Sequence, residues 1–168
     1  ATINALLVAT KAKGVTTIEN AAKEPEIVNV ATFLNNMGAK IRGAGTETIT
    51  IKGVEHLHKA FHEVIPDRIE AGTYIIIGAL LGENLKIKRI IPTHVESLTS
   101  KLIEAGADME IKEDEIIINA KDKYKSVNVK TQPYPGFPTD LQQPIIPFLT
   151  RCRGTSTCLL YTSPSPRD

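Results

Sequence analysis

The chain has 168 residues, 42% of them hydrophobic and 23% charged, and its 20 Lys and Arg against 19 Asp and Glu leave a formal charge of +1. This composition excludes wholesale disorder, and the interspersed signs leave no basic field that would gather nucleic acid or anionic lipid. No apolar run reaches the ~18–20 residues of a membrane-spanning helix, and the best one, Tyr74 to Leu81, is too short. Cys152 and Cys158 lack a CxxC or His partner at metal spacing, so the sequence predicts a reduced, cytoplasmic protein with no metal. The chain starts at Ala1 with no signal-peptide pattern and reads as a piece of something longer.

Ala1 to Ala12 carries Ile3, Leu6, Leu7 and Thr10 at helical spacing and is closed by Lys13-Gly14, which predicts a helix. Val15 to Asn20 is short and β-branched, a strand. Pro25 opens a second helix, with Glu24 and Glu26 at its positive dipole end, a buried stripe of Ile27, Val30, Ala31, Leu34 and Met37, and Gly38 as its stop. Lys40 to Arg42 and Thr48 to Lys52 alternate around Gly43-Ala44-Gly45 as a hairpin.

The same order returns downstream. Ala71 to Leu81 reads as a helix, Leu85 to Ile91 as a strand and Pro92 as a helix start. Val95, Leu98, Leu102 and Ile103 form the buried stripe, Gly106 the stop, and Met109 to Ile111 with Glu115 to Asn119 a hairpin. Pro25 and Pro92 are 67 residues apart, and Gly38 and Gly106 are 68 apart. The period exceeds the ~20–50 residues of solenoid repeats, so the unit is a compact supersecondary module used twice, about 1–53 and 71–120. Amphipathic helices covering sheets predict a layered α/β (α+β) architecture.

Few segments carry chemistry. His56, His58 and His62 lack a zincin arrangement and a third ligand, and read as solvated surface histidines. Asp67 and Arg68 follow Pro66 and precede an apolar helix, where an N-cap aspartate with a surface arginine is the simpler reading and a charged pair at a site edge the other. Asp140, after Pro138-Thr139, either caps a helix starting at Leu141 or points into a cleft as acceptor or general base, and spacing alone favours the cap. The loop Tyr134 to Asp140 is stiffened by prolines at its entry and within it, and carries two aromatics. Dinucleotide, P-loop and nucleophile-elbow signatures are missing.

Three stretches, Gly14–Val54 (GVTTIENAAKEPEIVNVATFLNNMGAKIRGAGTETITIKGV), Val64–Tyr74 (VIPDRIEAGTY) and Val127–Pro144 (VNVKTQPYPGFPTDLQQP), followed by Arg153–Ser156 (RGTS), resemble in order and spacing the UDP-N-acetylglucosamine 1-carboxyvinyltransferases, the MurA enolpyruvyl transferases. The resemblance implies transfer of the enolpyruvyl group of phosphoenolpyruvate to the 3'-hydroxyl of UDP-N-acetylglucosamine with release of phosphate, the first committed step of peptidoglycan synthesis. No cofactor and no protein partner are implied. It also implies a fold of two domains, each an inside-out α/β prism of βαβαββ units with helices in the middle and sheets outside, here incomplete. Residues 1–139 correspond to the later part of one domain and 140–157 to the start of the crossover into the second.

By position, Asp140 matches the family's active-site aspartate, which contacts the sugar 3'-hydroxyl and is proposed to take its proton, and Thr139 stands beside it as a substrate contact. Asp67, Arg68, Glu24 and Glu26 match charged positions near the cleft. The family's catalytic cysteine lies upstream of Ala1, and neither Cys152 nor Cys158 takes its place, so the chain alone is expected to be inactive. Residues 158–168 depart from the family and are expected to be a non-native, disordered tail. Two alternatives remain: a noncatalytic sugar-nucleotide binding protein of the same fold, and a shikimate-type enolpyruvyl transferase.

Overall fold

The structure, a computed structural model, describes residues 1–160. The chain divides into two compact units, Ala1–Ile65 and the chain from Pro66 onward.

In the first unit, α1 (Thr2–Lys11) leads into β1 (Val15–Glu19), α2 (Pro25–Asn36) and the hairpin β2 (Lys40–Arg42) and β3 (Thr48–Lys52). The sheet order is β1-β3-β2, with β3 central and antiparallel to both neighbours, so β1 and β2 run parallel and α2 is their crossover. Alternation along β3 turns Ile49 and Ile51 inward and leaves Thr48, Thr50 and Lys52 outside. Leu6 and Ala9 of α1 and Ile27, Ala31 and Leu34 of α2 cover that inner face. The Asn35 side chain fastens α2 to β2, its amide donating to the Ile41 carbonyl and its oxygen accepting from the Ile41 amide, both at 2.9 Å.

The second unit repeats the plan with α3 (Arg68–Leu81), β4 (Leu85–Lys88), a 3-10 turn (Pro92–Val95) running into α4 (Glu96–Glu104), β5 (Asp108–Ile111) and β6 (Glu115–Asn119). Its sheet order, β4-β6-β5, is that of the first unit, again antiparallel throughout. Gly38 and Gly106 close α2 and α4 with φ of 98° and 97°, a left-handed conformation that glycine adopts without a Cβ penalty. In both, the glycine N–H and the next one fold back onto the helix end, to Asn35 and Leu34 in one and Ile103 and Leu102 in the other.

After the repeat come β7 (Tyr124–Lys125), β8 (Val129–Lys130), a 3-10 turn (Thr139–Leu141), α5 (Gln142–Thr150), β9 (Cys152–Arg153) and β10 (Cys158–Leu159). β7 pairs in parallel with β9, and β8 with β10. Ile75 and Ile76 of α3, Leu98 and Leu102 of α4, Ile118 of β6 and Phe148 of α5 are among the buried side chains at the centre of this unit. The Tyr124 hydroxyl donates to the Ala79 carbonyl and accepts from the Lys121 amide, which satisfies a buried phenol.

Several expectations need correction. α3 starts at Arg68 rather than Ala71, because Asp67 caps it. β4 ends at Lys88 rather than Ile91, because Arg89 takes φ of 56° and turns the chain out of the ladder. Pro92 opens a 3-10 turn, and the α-helix follows from Glu96. Cys158 and Leu159, expected within a disordered tail, instead pair with Val129 and Lys130, and the Thr131 amide donates to the Leu159 carbonyl. The rest of that expectation, on residues 161–168, lies outside the described residues. Among the described residues no helix is long and apolar enough to cross a membrane.

Candidate active site

The second unit builds its site from the start of α3. The Asp67 carboxylate accepts from the amides of Ile69 at 2.8 Å and Glu70 at 3.2 Å, two of the donors a helix leaves open at its first turn. Arg68, the next residue, holds its guanidinium 5.6 Å from the centroid of the Tyr134 ring, a cation–π contact. Asp67 is thus a cap, while Arg68 reaches the proline-rich loop.

That loop runs from Thr131 to the 3-10 turn at Thr139, with a cis peptide at Tyr134-Pro135. The Gln132 amide donates to the Phe137 carbonyl at 2.9 Å and the Gly136 amide to the Pro133 carbonyl at 2.8 Å. Phe137 and Leu141 are both buried, so the chain between them is pinned at each end. Leu141 packs on Gly72 of α3, where an added Cβ would lie 2.6 Å from its Cδ1. A side chain at Gly72 would require the end of Leu141 to move aside.

Thr139 and Asp140 lie between those anchors, both exposed. The cap that spacing favours is not formed. Pro138 is the N-cap of the 3-10 turn and Leu141 that of α5, neither with a side-chain cap, because the turn begins one residue ahead of Asp140. Among the described residues the Asp140 carboxylate has no hydrogen-bond or ion-pair partner, so its acceptor capacity is unspent.

Beside the loop is a cavity of about 370 Å³ lined by Thr93, His94, Ser97 and Ser100 together with Tyr134 and Pro135. The sequence reading did not pick out this hydroxyl-bearing face. Ser97 and Ser100, three apart on α4, share one side of that helix, and Thr93 belongs to the 3-10 turn that leads into it.

Glu24 and Glu26 belong to the first unit. Glu24 holds the N-cap position of α2 without a side-chain cap, and its Oε2 is buried with no hydrogen-bond partner among the described residues. Both carboxylates line a cavity of about 250 Å³ with Thr2, Asn4 and Ile27. The histidines are spread along irregular chain rather than on a helix: His58 lies against Gly38, and His62 stacks on Phe33 with ring centroids 5.0 Å apart. Cys152 and Cys158 are unpaired, and burial pushes the Cys152 thiol up from its ordinary value.

The sequence profile of the EPSP synthase (3-phosphoshikimate 1-carboxyvinyltransferase) family matches residues 1–160. The chain is 58% identical over 165 residues to UDP-N-acetylglucosamine 1-carboxyvinyltransferase 2 of Listeria monocytogenes serotype 4b, an alignment covering 97% of this chain and 39% of that protein. It is 57% identical over 160 residues to the protein of the same name from Lactiplantibacillus plantarum, covering 95% and 38%. The chain therefore spans about two fifths of the length of these curated relatives. Among solved structures, the enolpyruvyl transferase NikO from Streptomyces tendae matches with a TM-score of 0.81 at 26% identity, over 94% of this chain and 38% of that one. With the profile matched along nearly its whole length, the chain belongs to the EPSP synthase (3-phosphoshikimate 1-carboxyvinyltransferase) family.

Proposed function

We propose that the chain is part of a transferase that moves the enolpyruvyl group of phosphoenolpyruvate onto the 3'-hydroxyl of UDP-N-acetylglucosamine, with Asp140 as the base. The hydroxyl oxygen forms a bond to the enol carbon, the bond from that carbon to the phosphate oxygen breaks, and Asp140 takes the hydroxyl proton. The observation that carries this reading is the Asp140 carboxylate, exposed and unspent between two buried anchors. A positioned carboxylate serves as base for a hydroxyl that loses its proton as it attacks, since placement offsets a modest basicity. Phosphoenolpyruvate carries its own leaving group, so the transfer calls for no redox cofactor.

The acceptor is argued from the names of the relatives at 57% and 58% identity. In this reading Thr139 contacts the sugar beside Asp140, Arg68 lines the same site, and Asp67 supports it as a helix cap; Glu24 and Glu26 of the first unit are carried as substrate-lining positions from the resemblance alone. Residues 1–139 belong to one prism domain and 140–157 begin the crossover. Each unit taken by itself leaves apolar side chains exposed on a helix, Leu7 and Val8 on α1 and Tyr74, Ile77 and Leu81 on α3, which suits helices that are covered in a complete prism. A cytoplasmic place in peptidoglycan synthesis, and through the wall a bearing on cell shape and division, goes with the substrate and with the two free thiols.

The test replaces the matching segment of the Listeria monocytogenes relative with residues 1–156 of this chain and measures phosphate release. The chimera is expected to turn over with UDP-N-acetylglucosamine and not with shikimate 3-phosphate, the acceptor that the family description suggests. Asp140→Asn should then lower kcat by about a hundredfold or more. Turnover with shikimate 3-phosphate alone, or an unchanged kcat in Asp140→Asn, would refute the reading. The 168-residue chain by itself is expected to release no phosphate.

A further inference from the structure

Among the described residues the Asp140 side chain has no polar contact to aim it, so its direction is inherited from the main chain on either side. On the C-terminal side that chain is fixed by Leu141, seated on Gly72 of α3. On the N-terminal side Phe137 is buried, but the limb before it stands away from the core, with Gln132, Pro133 and Pro135 exposed and Tyr134 half-buried. Its base is tied by the Thr131 amide on the Leu159 carbonyl and the Gln132 amide on the Phe137 carbonyl, and its tip is closed on itself by the Gly136 turn; the contact that links the tip to α3 is the Tyr134 ring under the Arg68 guanidinium. Arg68 is a firm attachment: it is the first residue of α3, next to a cap that spends its carboxylate on two helix amides, and the Ala71 amide closes the turn onto the Asp67 carbonyl at 3.0 Å. Both limbs of the loop are therefore referenced to one helix, by Leu141 on Gly72 and by Tyr134 on Arg68.

We infer that Tyr134, held by Arg68, is a positioning residue for Asp140: it keeps the loop in the one placement from which the carboxylate meets the acceptor hydroxyl. This rests on the proposed role of Asp140 as base. The contact uses the ring face and the cation, not the phenol oxygen, so phenylalanine should substitute where an aliphatic residue does not. Loosening the loop should act on the step in which the proton moves more than on substrate capture, because a small misplacement of a base lowers the rate while other groups still bind the substrate.

Two measurements test it. In the 168-residue chain, backbone amide order parameters at Asp140 should fall from the rigid range near ~0.85 toward ~0.6 in Tyr134→Leu and in Arg68→Ala, and stay put in Tyr134→Phe. In the chimera, Tyr134→Leu should lower kcat about tenfold with KM for UDP-N-acetylglucosamine within about twofold, and Tyr134→Phe should restore it. Unchanged order parameters in both loosening variants overturn the inference, as does equal loss in Tyr134→Phe. A raised KM at constant kcat also overturns it, since Tyr134 would then be a ligand contact. If the unsubstituted chimera is inactive, the functional reading fails on its own, while the order parameters still decide whether Tyr134 holds the loop.

Discussion

Gly78 lies inside α3, where alanine would ordinarily stabilise a helix by about 1 kcal/mol. Here the packing opposes it. A Cβ at this position would lie 2.3 Å from Cγ2 of Ile118 and 3.0 Å from Cδ2 of Leu85. Restoring an ordinary carbon–carbon contact of ~3.8 Å requires a separation of about 1.5 Å from Ile118. Ile118 has little room to yield: it is β-branched, fully buried, and on β6, which is paired on both sides through Leu85 and Met109. The overpacking penalty therefore belongs at the upper end of the usual range, about 3 kcal/mol, and Gly78→Ala should be destabilising by about 2 kcal/mol. At Gly72 the opposing atom is the end of a flexible leucine, Leu141, so the same substitution should cost less.

The assay is urea unfolding of the 168-residue chain followed by tyrosine emission. The chain has no Trp, and its four Tyr all lie after residue 65, so the signal reports the second unit. Gly78→Ala should lower the midpoint by about 1 M. Ile118→Ala alone should cost about 3–4 kcal/mol through its cavity, but combined with Gly78→Ala the total should fall short of the sum by more than about 1 kcal/mol, because the new methyl enters the space vacated by Cγ2. A raised midpoint in Gly78→Ala, or strict additivity in the double variant, would refute the close approach of α3 to β6.

Asp67→Ala should cost about 1 kcal/mol through the lost cap, whereas Asp140→Ala should stay within about 0.5 kcal/mol because its exposed carboxylate accepts no hydrogen bond from the described residues; thermal unfolding of both variants checks this. Lys112, 2.8 Å from Glu115, holds that carboxyl below its ordinary value, as Lys23 does for Glu47 at the same distance. A depressed folded-state value gives a stabilisation that is present above the unfolded value and lost as pH falls through the folded one, so carbon-13 titration should put both midpoints below those of the same carboxyls in the unfolded chain, with Lys112→Ala raising that of Glu115.

The repeat was legible because its markers are local: a proline opens α2 in one module and the 3-10 turn that leads into α4 in the other, a glycine closes both helices, and both pairs recur at nearly one spacing. The end of β4 was misread because arginine gives no sign of a left-handed conformation. Asn20, after β1, has φ of 52° and Arg89, after β4, has 56°, so the two occupy the same bend of the repeat. Asparagine tolerates that conformation and signals a turn, and the module register would have carried the signal across to Arg89. The four short strands after the repeat had no such signal. They pair Tyr124 with Cys152 and Val129 with Cys158, contacts between distant segments too short to show a period.

Asp140 shows where local spacing misleads. A carboxylate just before an apolar run has the cap pattern, but a cap must sit outside the turn it serves, and the turn here starts at Thr139. Asp67 carries the same local pattern and does sit outside, so its carboxylate is consumed by α3. What separates the two aspartates is a single residue of offset, invisible in the pattern and fixed by the seat of Leu141 on Gly72. That seat is made by α3 at Gly72, and at Gly78 the same helix lies close to the sheet, against Ile118 and Leu85. One helix therefore sets both the packing of the second unit and the freedom of the Asp140 carboxylate, and a side chain added at Gly72 would act on the site through Leu141.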